Sequence, residues 1–401
     1  MSMLKLTTLD GRKIHPRNII AKGDNGLRLL HIGVHNSANR NAGDTALFPV
    51  VRKVFEYFLG PISWELRQAW QEFSSADAIE VKNNFDGVVI GGGGLLLRDQ
   101  EGSSTSNSGW QWNSTVESLS QIRVPIFVFA VGYNRFRGQE DFDIVFKEHI
   151  SNLVSLSGMF ALRNNGSIRA LKKYLPEALH ESMRRQFCPT TLLWQLYPEF
   201  RTLAECHDSK NERVFVFNAA FDRSMHRFGT EIDTILVGLA NAVKMAQDRG
   251  WRIIVAAHKT LDRDIEPVLD AAKVAYETVD LTDASLDEIL KFYAEVDFVF
   301  GMRGHAQMIP FGLRRPIMSI VSHDKMRFFL EDLNRPEWGS EVDANDIEIR
   351  LGRALKKIES GKKKVIGDLG VAQSKVWKES IANFSDIKAI IHSNGVVRST
   401  R

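Results

Sequence analysis

The run Val296-Asp297-Phe298-Val299-Phe300 passes directly into Gly301-Met302-Arg303-Gly304-His305 and then into Ala306 to Gly312. A β-branched and aromatic run of this length reads as a buried strand. The segment after the turn reads as a short helix closing at a glycine. The same order of apolar run, polar or glycine-bearing turn and amphipathic segment recurs along most of the chain. That alternation constrains the fold strongly, because strands separated by helices make parallel sheets with helices on both faces. Ligands of such open sheets collect at the carboxyl edge, where these turns lie. There Arg303 supplies a permanent cation with a planar fork for carboxylate or phosphate, and His305 supplies a group that titrates near neutrality. The plainer alternative is a solvated arginine beside a histidine that caps the turn.

Two sets of such units follow one another. In the first, Leu27 to Gly33 reads as a strand, and Asn36 to Asp44 as a polar turn. Thr45 to Leu59 reads as a helix, with Leu47, Val50, Val51, Val54, Phe55 and Phe58 on one face. Asp44 is either the helix N-cap or, with Asn41 and Gly43, part of a ligand-facing loop at the helix N-terminus. Ile62 to Trp70 and Phe85 to Ile90 read as strands, the latter running into Gly91-Gly92-Gly93-Gly94 as a turn. These glycines match neither the dinucleotide fingerprint nor a Walker loop. Gly92 and Gly93 are candidates either for ligand contact or for close packing. Arg98 to Gly109 reads as a mobile surface loop. Pro125 to Val131 is a buried strand ending in the turn Gly132-Tyr133-Asn134, and Met159 to Leu162 is a short one that delivers Arg163 to the same edge.

The pattern weakens between Cys188 and Asn211, which places a domain boundary there. The second set has strands at Arg213 to Phe217, Arg252 to Ala257, Glu277 to Leu281 and Pro316 to Val321. Its helices are read at Glu231 to Asp248, Ile265 to Ala275 and Leu286 to Ala294. The expected organisation is an α/β protein with two doubly wound, Rossmann-like domains, residues 1–205 and 206–335, facing a cleft. A helical extension follows over 336–401, since 401 residues exceed one comfortable core. The cleft would gather Arg163, Arg223, His258, Arg303, His305, His323 and Lys325, a concentration suited to an anion.

Composition narrows the partners. A formal net charge of +3 is too small to argue for nucleic acid. The two cysteines, Cys188 and Cys206, form no metal or disulfide pattern, which points to a reducing compartment and no metal. Met1 to Asp10 lacks a signal-peptide core, and no run approaches the roughly 18 apolar residues of a membrane span. A cytoplasmic protein is expected, with Lys362-Lys363-Lys364 solvated or, less favourably, in peripheral contact with anionic lipid at the inner membrane face.

Taken in order, Asn41-Ala42-Gly43-Asp44-Thr45-Ala46, the four glycines from Gly91, Arg163 with Ser167, Gly301 to Ala306 and Pro316 to Lys325 resemble the polysaccharide pyruvyl transferase family over about residues 27 to 330. The resemblance implies a GT-B-like fold and transfer of a pyruvyl group from phosphoenolpyruvate to a sugar or lipid-linked oligosaccharide as a ketal, with no further cofactor. It implies His305 as acid/base and Asp44 as the group orienting the acceptor. Arg303, Lys325, Arg163, Arg223 and His323 then fall on the donor side, and Asn41, Gly43, Gly92 and Gly93 on the acceptor side. This chain departs from the family pattern at Arg163-Asn164, where Arg-Asp is common, at Cys188-Pro189, where Asp-Pro is common, and at Arg303-Gly304-His305, where Arg-Leu-His is usual. A nucleotide-sugar glycosyltransferase of the same fold and a non-catalytic sugar-binding homologue are the alternatives.

Overall fold

The computed structural model describes residues 26–35, 40–98, 105–136, 138–208 and 213–399. The N-terminal segment, part of the first turn and half of the loop Arg98 to Gly109 lie outside these residues.

The first half builds β1 (Leu27–Gly33), α1 (Ala42–Leu59), β2 (Ile62–Gln68), α2 (Ser75–Asn84), β3 (Gly87–Leu96), α3 (Val116–Ser120), β4 (Ile126–Tyr133), α4 (Ile144–Leu156), β5 (Met159–Leu162), α5 (Asn165–Lys172) and β6 (Met183–Arg185). These strands form a six-stranded parallel sheet in the order β2-β1-β3-β4-β5-β6. Short helices α6 (Leu193–Leu196) and α7 (Pro198–Asp208) lead to β7 (Val214–Asn218), α8 (Ser224–Phe228), α9 (Ile232–Asp248), β8 (Arg252–Ala257), α10 (Glu266–Ala271), β9 (Tyr276–Asp280), α11 (Leu286–Ala294), β10 (Phe298–Gly301), α12 (His305–Gly312), β11 (Ile317–Val321), α13 (Asp324–Asp332), β12 (Gly339–Glu341) and α14 (Ile347–Ser399). The second sheet is also parallel, in the order β12-β11-β10-β7-β8-β9. Two doubly wound α/β sheets with a helical tail are therefore present.

The differences from the sequence reading have physical causes. The four glycines do not form a turn after β3 but lie inside it, paired with β4 (Gly91 with Phe129, Gly93 with Val131), and the register shifts only between Gly93 and Leu96. Gly132 and Tyr133 belong to β4 in the same way. The helix read over Ile265 to Ala275 is a 3-10 turn, Thr260–Ile265, followed by the short α10. The extension, by contrast, keeps to expectation as two helices joined at a bend at Gly361, whose φ of −170° and ψ of 55° leave the helical region. Before the bend, Leu351, Leu355 and Ile358 join the core beneath the second sheet; after it, Val376, Phe384 and Ile387 join that of the first. Phe384 stacks on Phe58 at 4.5 Å between centroids and meets Phe55 edge-on at 4.9 Å. The tail thus ties both halves together.

Lys362 in this bend is neither solvated nor free for lipid. Its Nζ pairs with Asp208 Oδ1 at 3.0 Å and with Asp297 Oδ1 at 2.5 Å. Among the described residues, no helix is long and apolar enough to cross a membrane.

Helix α9 shows the energetics of these layers. Leu236, Leu239, Ala240, Val243 and Ala246 form its buried stripe, and Leu239 is fully buried. Leu239→Ala is expected to cost about 2–5 kcal/mol of stability through lost contact and a residual cavity, read as a shift in urea midpoint with no change in the chemistry of the cleft.

Candidate active site

The carboxyl edges of the two sheets face each other across a cleft of about 1020 Å³, counted out to open solvent. The first sheet contributes Asn41, Asp44, Gly93, Gly94, Asn134 and Arg163, and the second Asp222, Arg223, Arg227, His258, Lys259, Arg303, His305 and Lys325. Contacts across the gap fix the spacing. Ala42 N donates to His258 O at 3.0 Å, and Lys325 Nζ donates to Asn134 Oδ1 at 3.1 Å.

The Gly301–His305 turn is held by a buried polar frame. Asn218, the last residue of β7, accepts from Arg303 N through Oδ1 at 3.0 Å and donates through Nδ2 to Ala256 O at 2.8 Å. Asp262 accepts from His258 N at 3.0 Å and Lys259 N at 3.2 Å. Arg303 Nε donates to both oxygens of Asp262, at 2.9 and 2.7 Å, and Nη2 lies 2.7 Å from Asp222 Oδ1. Asp222 also takes Arg227 Nη2 at 3.1 Å. Burial pushes the Asp222 carboxyl up, but Arg303 and Arg227 hold it well below the usual carboxylate range. The Arg303 fork expected to grip a donor anion is therefore occupied by two carboxylates. What a guanidinium has left once Nε and Nη2 are engaged is its Nη1 edge.

Arg163 is different. It is 6% exposed, and its Nε and Nη2 have no hydrogen-bond partner. It lies so close to Gly132 that a Cβ there would overlap the guanidinium. Burial lowers its proton affinity, yet an arginine keeps its charge in proteins. Lys325 lies in the same cluster, its ammonium pushed well below the ordinary range first by burial and then by Arg163 and Arg227. Among the described residues, neither Arg163 nor Lys325 forms an ion pair.

His305 opens α12, with Nε2 3.6 Å from Cys188 Sγ. Its ring packs against the first turn of α1, where any side chain on Gly43 would collide with the imidazole. Burial, then Arg163 and Lys325, lower its pKa to about 3, so the ring of the unliganded protein is neutral at pH 7. Asp44 does not cap α1. Asn41 is the N-cap, accepting from Gly43 N at 3.0 Å and donating to Asp44 Oδ2 at 2.8 Å. The Asp44 carboxyl, raised by burial and pulled back by Lys259, Lys325 and Arg303, points among the cleft cations.

A match to the model of the polysaccharide pyruvyl transferase family runs from residue 41 to residue 324. The chain belongs to that family. No curated protein sequence matches it significantly. Among solved structures it is similar to Anabaena HepE in complex with UDP and glucose, with TM-score 0.51 and 11% identity over 94% of this chain and 100% of that one. It is also similar to the UDP-GlcNAc 2-epimerase of Neisseria meningitidis, with TM-score 0.48 and 8% identity over 89% and 100%. The HepE likeness shows a GT-B-like fold.

In this pyruvyl transferase family member, two expected site residues are placed elsewhere. His323 is the N-cap of α13: its Nδ1 accepts from Lys325 N at 3.1 Å, and its ring meets Phe136 edge-on at 4.2 Å, so it supports the wall rather than lining it. Gly92 faces Leu47 of α1, where a Cβ would sit 3.3 Å from Cδ1, and is a packing position. Gly93 does reach the cleft, as does Arg223, which lies over Phe136 at 5.1 Å. Sequence reasoning assigned no role to Asp222, Asp262, Arg227, Lys259 or Asn218. Asp222 follows directly on β7 and Asp262 closes the edge turn after β8, so the carboxyl-edge rule that found Arg303 would have found both.

Burial lowers the pKa of His31, His258 and His323 well below normal, and that of His35 and His305 to about 3 and His149 to about 4. An unfolded chain takes up protons on these rings below about pH 6.5, whereas the folded chain refuses them until far lower pH. Stability therefore rises with pH across that window, each ring contributing a slope of at most about 1.4 kcal/mol per pH unit. Urea melts at pH 7 and pH 5 are expected to differ by several kcal/mol, roughly, with the pH 5 protein the weaker. Equal midpoints would show that these rings are protonated in the fold.

Proposed function

We propose that this chain transfers a pyruvyl group from phosphoenolpyruvate to two hydroxyls of a sugar in a glycan precursor, forming a ketal. The observation that carries this reading is the buried guanidinium of Arg163 beside Lys325, neither in an ion pair, in a cleft where Arg303 and Arg227 are already paired with Asp222 and Asp262. A buried cation without a partner is costly, and a ligand bearing both carboxylate and phosphate relieves that cost twice over. Arg163 and Lys325 take the donor anion, with Arg223 flanking them. Arg303 offers its Nη1 edge, held rigid by the two carboxylates.

Donor charge beside His305 raises the proton affinity of the ring, which then delivers a proton to the methylene carbon. The resulting oxocarbenium-like centre is attacked by one sugar hydroxyl, oriented by Asp44, which accepts its proton. Attack by the second hydroxyl, whose proton passes to the now neutral His305, expels phosphate and closes the ketal. Asn41, Gly43 and Gly93 bound the acceptor side. An acceptor that is lipid-linked would place the work at the inner face of the membrane.

The test is phosphate release from phosphoenolpyruvate against a panel of hexose and oligosaccharide acceptors, with UDP-sugars as the competing donor class. Acceptor-dependent phosphate release is expected. Turnover with UDP-sugars alone would transfer the reading to glycosyl transfer, and binding of phosphoenolpyruvate with no turnover on any acceptor would favour a non-catalytic homologue. Arg163→Ala is expected to weaken donor binding by about 10- to 100-fold, since charge-assisted hydrogen bonds contribute roughly 1.5–3 kcal/mol. It should not destabilise the fold, because it removes a buried guanidinium whose Nε and Nη2 have no hydrogen-bond partner. Calorimetric titration with phosphoenolpyruvate reads the first effect and a melt the second.

A further inference from the structure

The contact between Cys188 and His305 lies outside the donor and acceptor contacts proposed above. Cys188 is fully enclosed and precedes the 3-10 turn Pro189–Leu192. Its backbone is fixed, since the carbonyl accepts from Thr191 N at 2.9 Å and from Thr191 Oγ1 at 2.6 Å. Its Sγ lies 3.2 Å from Thr190 Oγ1 and 3.6 Å from His305 Nε2. A thiol bridging a hydroxyl and an imidazole can act as weak donor or weak acceptor. Unlike a carboxylate, it adds no charge that would favour the imidazolium.

We propose that Cys188 is a positioning residue for His305: the Thr190–Cys188 relay holds Nε2, fixes the ring's tautomer and leaves the ring neutral until an anionic donor arrives. Proton loading is thereby coupled to donor binding, and an empty site holds no reactive proton. The other charged or titratable groups around the ring agree with this. Arg163 after β5, Lys325 in α13 and His258 after β8 face it and supply no negative charge. Asp44 lies one residue past Gly43 in α1, and Arg303, in the ring's own turn, is held by Asp262 and Asp222. Burial raises the Cys188 thiol above its ordinary range, which keeps the sulfur protonated and uncharged at neutral pH.

The inference about rate rests on the pyruvyl-transfer reading; the inference about the ring does not. The experiment is therefore made first on the donor-free protein, by long-range ¹⁵N–¹H NMR of the His305 imidazole in wild type, Cys188→Ala, Cys188→Ser and Cys188→Asp. Wild type is expected to show one neutral tautomer near pH 7. Cys188→Ala should show a mixture of both, and Cys188→Ser, whose hydroxyl can still bond, should restore one. Cys188→Asp should raise the ring's titration by about one to three pH units, as a carboxylate at that distance does. If Cys188→Asp does not fold, the Ala and Ser variants decide the matter. A single unchanged tautomer and titration in Cys188→Ala overturns the proposal. In the transfer assay, the alkaline limb of the kcat profile should move with the ring in Cys188→Asp. If the ring responds as expected while wild type transfers no pyruvyl group, the positioning role stands and the reading of the reaction falls.

Discussion

Arg303→Lys is expected to lose about 1–3 kcal/mol of folding stability, the usual cost of leaving buried acceptors without their hydrogen-bond partners. Asp262 is fully buried and receives Arg303 through both carboxylate oxygens, while Asp222 takes the same guanidinium from the other side. A lysine retains the charge but has a single ammonium and no fork, so it cannot serve both carboxylates in this geometry. The frame that depends on it includes the backbone amides of His258 and Lys259 and the side chain of Asn218, and all of these set the position of the turn carrying His305. The sequence alone points to a variant that folds normally and only binds donor more weakly. The two carboxylates change that expectation, because Arg303 braces the site as well as facing it. Chemical denaturation of Arg303→Lys beside wild type measures the loss, and an unshifted midpoint would show that Asp262 finds another partner.

That reversal indicates which parts of this protein are legible in a linear sequence. Elements of the second half were readable nearly to the residue, since Arg252–Ala257 and Leu286–Ala294 coincide with strand β8 and helix α11. Their apolar runs are covered on both faces and their ends are marked by polar turns. The cleft was readable too, because strand-to-helix turns of parallel sheets converge at one edge, and Asp44, Arg163, Arg303, His305 and Lys325 do meet there. The pairing of charges at that edge was not readable. Arg163 and Arg303 follow apolar runs in the same manner, yet one is unpartnered and the other doubly paired. The difference lies in Asp222 and Asp262, which are 81 and 41 residues away from Arg303 and carry no local periodic signal. The glycines of β3 misled for a related reason. Four in a row read as a turn, but here they thin a central strand so that Leu47 can press against Gly92 and Gly93 can border the cleft.

His305→Gln is expected to leave donor binding largely intact while turnover falls by roughly 10²–10⁴-fold, the usual contribution of a positioned general acid or base. In the empty cleft the ring is neutral: burial, Arg163 and Lys325 all disfavour the imidazolium, and its pKa is lowered to about 3. An anionic donor lying against those two cations offsets the repulsion they exert and adds an attraction of its own, so the ring gains a proton when it is needed. Glutamine can occupy the same space beside Gly43 and hydrogen-bond toward Cys188, but it carries no titratable proton at neutral pH. If the ring serves only to open α12 and fill the gap above Gly43, the variant should melt a few degrees lower and turn over at nearly the wild-type rate. Donor affinity by calorimetry, kcat by phosphate release and the melting temperature, all taken on one preparation, separate these outcomes. The pH profile adds a further distinction. If His305 is the acid, wild-type kcat should fall as pH rises through the pKa of the donor-bound ring, and the residual activity of His305→Gln should lack that limb.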